Sequence, residues 1–96
     1  IEAAFPAGSM TGAPKIAAMR ILAGLERGPR GIYSGVFGWL GSDGTCELAM
    51  VIRSIVIDGA GATIGTGGGI TSDSDPSFEL DETRIKAGAA LRALGA

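Results

Sequence analysis

"CELAMVIRSIVID", residues 46–58, is the stretch on which the fold turns. Its inner part, "LAMVIRSIVI", is a ten-residue apolar run with one charge, Arg53. The run is apolar on both faces, the pattern of a central strand covered on both sides. Read as one strand, it is the middle of a sheet. "SDGT" precedes it and carries the Asp-Gly signature of a tight hairpin. Before that lies a first strand, "IYSGVFGWLG", residues 32–41. After it, "GAG" turns into a third, "ATIGTGGGI", residues 62–70. Short connections of this kind imply antiparallel neighbours.

A helix is expected on each side of this meander. Pro14 suits a first helical turn, where its missing N–H costs nothing. The helix then runs to about Glu26, with Ile16, Met19, Ile21, Leu22 and Leu25 as an apolar stripe of period 3.6. "RGPRG", residues 27–31, stops it. Residues 1–4 read as the tail of an earlier element and residues 5–13 as a loop. "TSDSDP" leads into the last helix, with Asp75 as N-cap and Pro76 at its first position. Phe78, Ile85, Ala89, Leu91 and Leu94 are expected to face the core, while Lys86 and Arg92 suit the helix dipole. The fold class is α+β: an antiparallel three-stranded meander flanked by two helices, in the order α-β-β-β-α.

The 96 residues fit at most one small domain, residues 1–96. The mean hydropathy of +0.34 is high for so short a chain. A small domain has little interior in which to place apolar residues. The composition therefore points to a piece of a larger core, as does the first residue, Ile1. Eight basic and ten acidic residues, without a basic run, argue against a nucleic-acid partner. One cysteine, Cys46, excludes an internal disulfide and a cysteine-rich metal site. Without histidine, Ser-His and Cys-His pairs cannot be built from this chain. No apolar run approaches the roughly 20 residues of a membrane helix, so no membrane association is expected. With no signal-peptide pattern, the expected location is the cytoplasm.

Several residues are not explained by packing alone. A buried Arg53 needs an anionic partner. That partner is either a structural carboxylate, such as Glu47 or Asp58, or a substrate carboxylate held by a bidentate pair. Tyr33, the one tyrosine, reads as a core residue or as a neighbour of Arg53 at one end of a hairpin. "GTGGGI", residues 65–70, is glycine-rich for a strand. It is either a bulge or a place where bare backbone approaches a ligand anion. Glu79, Glu82 and Lys86 share one helix face. They form either a solvated acidic first turn or a magnesium site with hard oxygen ligands. "FPAGSMTGAPK", residues 5–15, lacks the spacing of a phosphate-binding loop, and no Ser or Thr follows Lys15.

Taken in order, "FPAGSMTGAPK", "RGIYSG", "VIRS", "GTGGGI" and "DSDPSFELDETRIK" resemble the C-terminal part of the chorismate-utilising enzymes. The resemblance covers residues 5 to about 94. "GSMTGAPK" looks most like the para-aminobenzoate branch, aminodeoxychorismate synthase component I; anthranilate synthase component I is the alternative within the group. A stand-alone module that binds a small carboxylate without catalysis is the alternative outside it.

The resemblance implies a large α/β sandwich, of which this chain would be a fragment. It implies chorismate as substrate and Mg²⁺ as cofactor. By the same resemblance Tyr33 contacts the pyruvyl side of the ligand and Arg53 binds the enolpyruvyl carboxylate. Gly67 and Gly69 border the ring carboxylate, and Lys86 lies near the ligand's carboxylate end. Glu79 and Glu82 hold the metal directly or through water. Ser9 and Thr11 belong to the loop beside the site. The attacking lysine, the general acid and a further magnesium glutamate of the family belong to upstream motifs. The isolated chain is therefore expected to be inactive, and its strand apolar on both faces, with unpaired outer sheet edges, is expected to make it self-associate. A glutamine amidotransferase subunit would deliver ammonia to the full-length enzyme.

Overall fold

A computed structural model describes residues 4–95 of the chain. Residues 1–3 of the expected N-terminal tail lie outside the described residues. The chain divides into two compact units, Ile1–Val51 and Ile52–Ala96.

In the first unit, a short helix α1 (Gly8–Thr11) interrupts the expected opening loop. Pro14 is the N-cap of helix α2 (Lys15–Leu25) and stands one position before the expected first turn. A proline can occupy this place because the helix needs no N–H from it. Strands β1 (Val36–Leu40) and β2 (Cys46–Met50) then pair antiparallel, from Val36↔Met50 to Leu40↔Cys46. The turn between them is closed by local chemistry. Asp43 Oδ1 accepts from the Thr45 hydroxyl at 2.6 Å and from its N–H at 3.0 Å, and Gly44 takes φ 86°. Those donors hold the Asp43 carboxyl below its ordinary pKa. Beyond the strands the ladder continues through Val51 N–H to Gly35 O and Ser34 N–H to Val51 O. Val51, 6% exposed, is the one buried hydrophobic residue among those described.

In the second unit, strands β3 (Ile55–Asp58) and β4 (Gly61–Ile64) form a separate antiparallel pair, Ile55↔Ile64 to Asp58↔Gly61. Asp58 Oδ1 accepts from Ala60 N–H at 2.8 Å and so fixes the two-residue turn. Helix α3 (Pro76–Ala93) begins as the sequence leads one to expect. Asp75 accepts the Phe78 N–H at 2.9 Å, and Pro76 opens the helix.

The sheet differs from the expected three-stranded meander: it is two two-stranded ribbons. Residues 46–58 are not one strand but two, separated at Val51–Ser54. Arg53 has φ 50°, in the left-handed region, where a residue with a side chain cannot continue a β ladder. Because β3 starts only at Ile55, β4 exhausts its partner at Ile64, and residues 65–70 fall outside the strand expected there.

The expected core faces of the helices also differ. On α3, Phe78 and Ile85 are 65% and 76% exposed, and Ala89, Leu91 and Leu94 are exposed as well. On α2, Ile16, Met19, Ile21 and Leu25 are exposed and Leu22 is half-buried. Amphipathic periodicity marks the stripe able to be buried, but burial needs a second apolar surface to meet it. Among the described residues these stripes stay largely exposed.

Candidate functional site

The sequence singles out nine residues, and the structure gathers most of them into two local groups, one in each unit. The second unit holds the denser group. Helix α3 turns its polar face, not its apolar one, toward the glycine-rich segment 65–69. Thr66 Oγ1 donates to the Thr83 carbonyl at 3.0 Å. Lys86 Nζ donates to the Gly67 carbonyl at 3.4 Å. A Cβ placed on Gly68 would stand 3.4 Å from Glu79 Oε2 and 3.9 Å from Lys86 Nζ. Glu79, Glu82, Thr83 and Lys86 are accordingly half-buried. A helix face rich in long polar side chains can be covered by backbone if that backbone carries no side chains of its own. Of the four glycines in residues 65–70, Gly68 is the one shown against this face.

Within this group Lys86 Nζ pairs with Glu82 Oε1 at 2.7 Å, across one helical turn. Glu79 has no ion-pair or side-chain hydrogen-bond partner among the described residues. A shallow concavity beside it is lined by Ile70, Ser74, Pro76, Glu79, Leu80 and Thr83. Gly69 shares the segment with Gly67 but faces open space.

Arg53 belongs to the same unit and stands apart from that group in its contacts. It is exposed, and among the described residues it makes no ion pair or hydrogen bond. Neither Glu47 nor Asp58 serves as its structural partner. A left-handed backbone costs a residue with a side chain about 1–2 kcal/mol. Such strained positions cluster at ligand sites.

The first unit holds Ser9, Thr11 and Tyr33. Ser9 and Thr11 lie on α1, and Thr11 Oγ1 donates to the Ala7 carbonyl at 3.4 Å. Tyr33 is half-buried just before the left-handed Ser34, φ 66°. The side chain that joins these pieces is Arg30, which the sequence reading took only as part of the helix stop. Its Nη1 donates to the Met10 carbonyl at 3.0 Å and to Ser34 Oγ at 3.2 Å. Its Nε and Nη2 hold the Glu26 carboxylate, Nη2 at 2.5 Å. Its Cζ lies 6.0 Å from the Tyr33 ring centroid. The hydrogen bonds from Arg30 lower the Glu26 pKa, and the carboxylate in turn raises that of Arg30. Arg30 was missed because its farthest partner, Met10, lies 20 residues away in sequence. Thr83 was missed for the same reason, its partner Thr66 lying 17 residues away. Thr66 and Gly68 fall within the GTGGGI segment that the sequence singles out, though neither was named there individually.

The donor set offers little to most metals. Among the described residues, no group of three or more His, Cys, Asp or Glu could hold an ion. Two carboxylates are nevertheless compatible with Mg²⁺, which takes hard oxygens and keeps several waters. Glu79 is uncommitted, whereas Glu82 is engaged by Lys86. No helix among the described residues is long and apolar enough to cross a membrane.

Comparison with known proteins identifies the family. Residues 1–92 match the family described as chorismate binding enzyme. An aminodeoxychorismate synthase of Streptomyces griseus is 49% identical over 94 residues, covering 98% of this chain and 13% of that protein. A probable chloroplastic aminodeoxychorismate synthase of Oryza sativa subsp. japonica is 51% identical over 87 residues, 91% of this chain and 10% of the relative. Anthranilate synthase component 1 of Thermococcus kodakarensis is 47% identical over 95 residues, 99% of this chain and 22% of the relative. The chain thus spans about an eighth of the Streptomyces griseus relative's length. With residues 1–92 matching along nearly the whole length, this chain belongs to the chorismate binding enzyme family.

Proposed function

We propose that this chain is a fragment of the chorismate-binding sandwich of an aminodeoxychorismate synthase and supplies part of its substrate site. The reaction is the amination of chorismate to 4-amino-4-deoxychorismate, on the route to para-aminobenzoate and folate. The observation that carries the reading is the apposition of residues 65–69 and the Glu79–Lys86 face of α3. It joins bare backbone, two carboxylates and a cation in one small volume.

Chorismate carries two carboxylates and an allylic hydroxyl, so a site for it must balance two anions. The backbone of Gly67 and Gly69 is assigned to the ring carboxylate, and Lys86 to the ligand's carboxylate end. Arg53, exposed and unpaired among the described residues, is free to fork onto the enolpyruvyl carboxylate. Tyr33, Ser9 and Thr11 are the residues of the first unit assigned to substrate contact. Glu79 and Glu82 would hold Mg²⁺, which when bound would neutralise charge at the ring carboxylate and fix the ring. Lys86 now holds Glu82 at 2.7 Å; with Glu79 and Glu82 as the residues to hold Mg²⁺, Lys86 would then be available to a substrate carboxylate.

Displacement of the 4-hydroxyl is assigned to lysine and acid groups outside residues 1–96, so the chain alone turns over no chorismate. A glutamine amidotransferase subunit supplies ammonia to the whole enzyme, in the cytoplasm. The chain itself self-associates, because the apolar faces of α2 and α3 are open and both ribbons keep unpaired strand edges. Sedimentation at micromolar concentration checks this point, and a sharp monomer boundary would refute it.

The deciding experiment is a chimera. Residues 1–96 replace the matching segment of the Streptomyces griseus aminodeoxychorismate synthase. The expected product from chorismate, glutamine and Mg²⁺ is 4-amino-4-deoxychorismate, and Arg53→Ala in the chimera abolishes it. Restored activity untouched by Arg53→Ala would sink the site assignment. The same segment placed in the Thermococcus kodakarensis anthranilate synthase tests the other branch. Activity only there would move the chain to anthranilate synthesis.

A further inference from the structure

We infer that Arg30 is a positioning residue for the substrate wall of the first unit. Three backbone segments converge on its guanidinium: α1 at Met10, the end of α2 at Glu26, and the turn carrying Tyr33 and Ser34. Arginine presents five N–H donors in a rigid plane, so one side chain can tie three segments at fixed mutual angles. Lysine, with three donors at a single point, cannot span them.

The tie also acts where the backbone is least favourable. Ser34 is held at φ 66° by three bonds: Arg30 Nη1 to its hydroxyl, its own N–H to the Val51 carbonyl, and the adjacent Gly35 N–H to Ile32 O. Tyr33 directly precedes this residue, and its ring lies by the guanidinium. Met10 sits between Ser9 and Thr11, so its carbonyl is the handle by which Arg30 holds that turn. Glu26 receives Nε and Nη2 and thereby orients the plane, which leaves Nη1 for the other two segments. Arg30 itself is spent on the protein and touches no ligand. Its influence on chorismate passes through Tyr33, Ser9 and Thr11, and in this the inference rests on the function proposed above.

The test uses the 96-residue chain and its Arg30→Gln, Arg30→Lys and Glu26→Gln variants, followed by NMR. Amide exchange is read at Thr11 and Gly12, whose N–H groups bond Ala7 O and Gly8 O. Chorismate is titrated with Mg²⁺ and read at the Tyr33 ring. Arg30→Gln is expected to speed exchange at Thr11 and Gly12 at least tenfold and to raise the chorismate midpoint at least tenfold. Exchange within β1 and β2 stays unchanged, which shows that the first unit remains folded. Arg30→Lys keeps the thermal midpoint but still raises the chorismate midpoint several-fold, because charge is retained and the fork is lost. Glu26→Gln gives a smaller change of the same sign. The inference is overturned if Arg30→Lys binds chorismate as the unchanged chain does, or if Arg30→Gln leaves exchange at Thr11 and Gly12 as it was. If the unchanged chain shows no response to chorismate, the KM for chorismate of the Streptomyces griseus chimera is read instead: an Arg30→Lys chimera with an unchanged KM overturns the inference, and a chimera inactive even without substitution overturns the substrate reading.

Discussion

In the first unit a single guanidinium holds the candidate residues; in the second, a helix face lies against naked backbone. Arg30 makes bonds to three segments that already have defined shapes, so it locks a geometry. Lys86 makes one intrahelical ion pair and one long bond to a carbonyl, so it can change partners. Rigid fork and movable point charge suit different tasks. The first suits a wall that must stand still. The second suits a face whose side chains must exchange partners. Neither arrangement depends on a large apolar interior, and only Val51 is buried among the hydrophobic residues described.

The largest expected effect breaks one side of this comparison and leaves the other. A Cβ on Gly38 would collide with the backbone carbonyl of Glu47 across the β1–β2 ladder. Backbone cannot move aside there without giving up the pairing. Gly38→Ala is therefore expected to cost about 3 kcal/mol, at the upper end for overpacking. Amide protection should vanish in β1 and β2 and persist in β3 and β4. Equal loss in both ribbons would show that the two units unfold as one.

A smaller effect sharpens the view of the second unit. Glu82→Gln is expected to weaken Mg²⁺ binding about tenfold, the loss of one charged ligand or of its water-mediated contact. Asp81→Asn is the control on the same turn. Asp81 is exposed and paired only loosely, at 3.8 Å, with exposed Arg84, so Mg²⁺ binding should not change. Calorimetric titration measures both. Equal loss from the two variants would return Glu79 and Glu82 to the role of a solvated acidic turn.

The smallest effect concerns pH and the first unit. Arg30 lowers the Glu26 pKa below its ordinary 4.5. The folded chain thus binds a proton at Glu26 less readily than the unfolded chain does. The resulting stability is fully present above the unfolded value and is lost as pH falls through the lowered folded value. The contribution is modest because the pair is partly exposed, with Glu26 at 35%. A carboxyl-detected NMR titration should place Glu26 below the ordinary glutamate range, and Arg30→Gln should return it there. An unchanged Glu26 titration in that variant would mean that the ion pair does not persist in solution.

What the sequence alone determined here is what local chemistry controls. Asp75 and Pro76 announce the start of α3 because a cap bonds an N–H only three residues away. Asp43-Gly44 and Asp58 mark their turns because each carboxylate reaches the backbone two residues on. The shared face of Glu79, Glu82 and Lys86 follows from helical periodicity alone. The tertiary structure decided the rest. Hydropathy runs unbroken from Leu48 to Ile57 except at Arg53 and Ser54, and it carries no information about a left-handed φ at Arg53, so one strand became two. The apolar stripe of α3 was plain in the sequence, but which face is covered depends on what arrives beside it, and glycine backbone arrived at the polar one. Arg30 looked like a helix terminator because its partners are distant in the chain and near only in space. A residue's period and cap are set by bonds a few positions long, whereas its partners are set by which segments the folded chain returns to it.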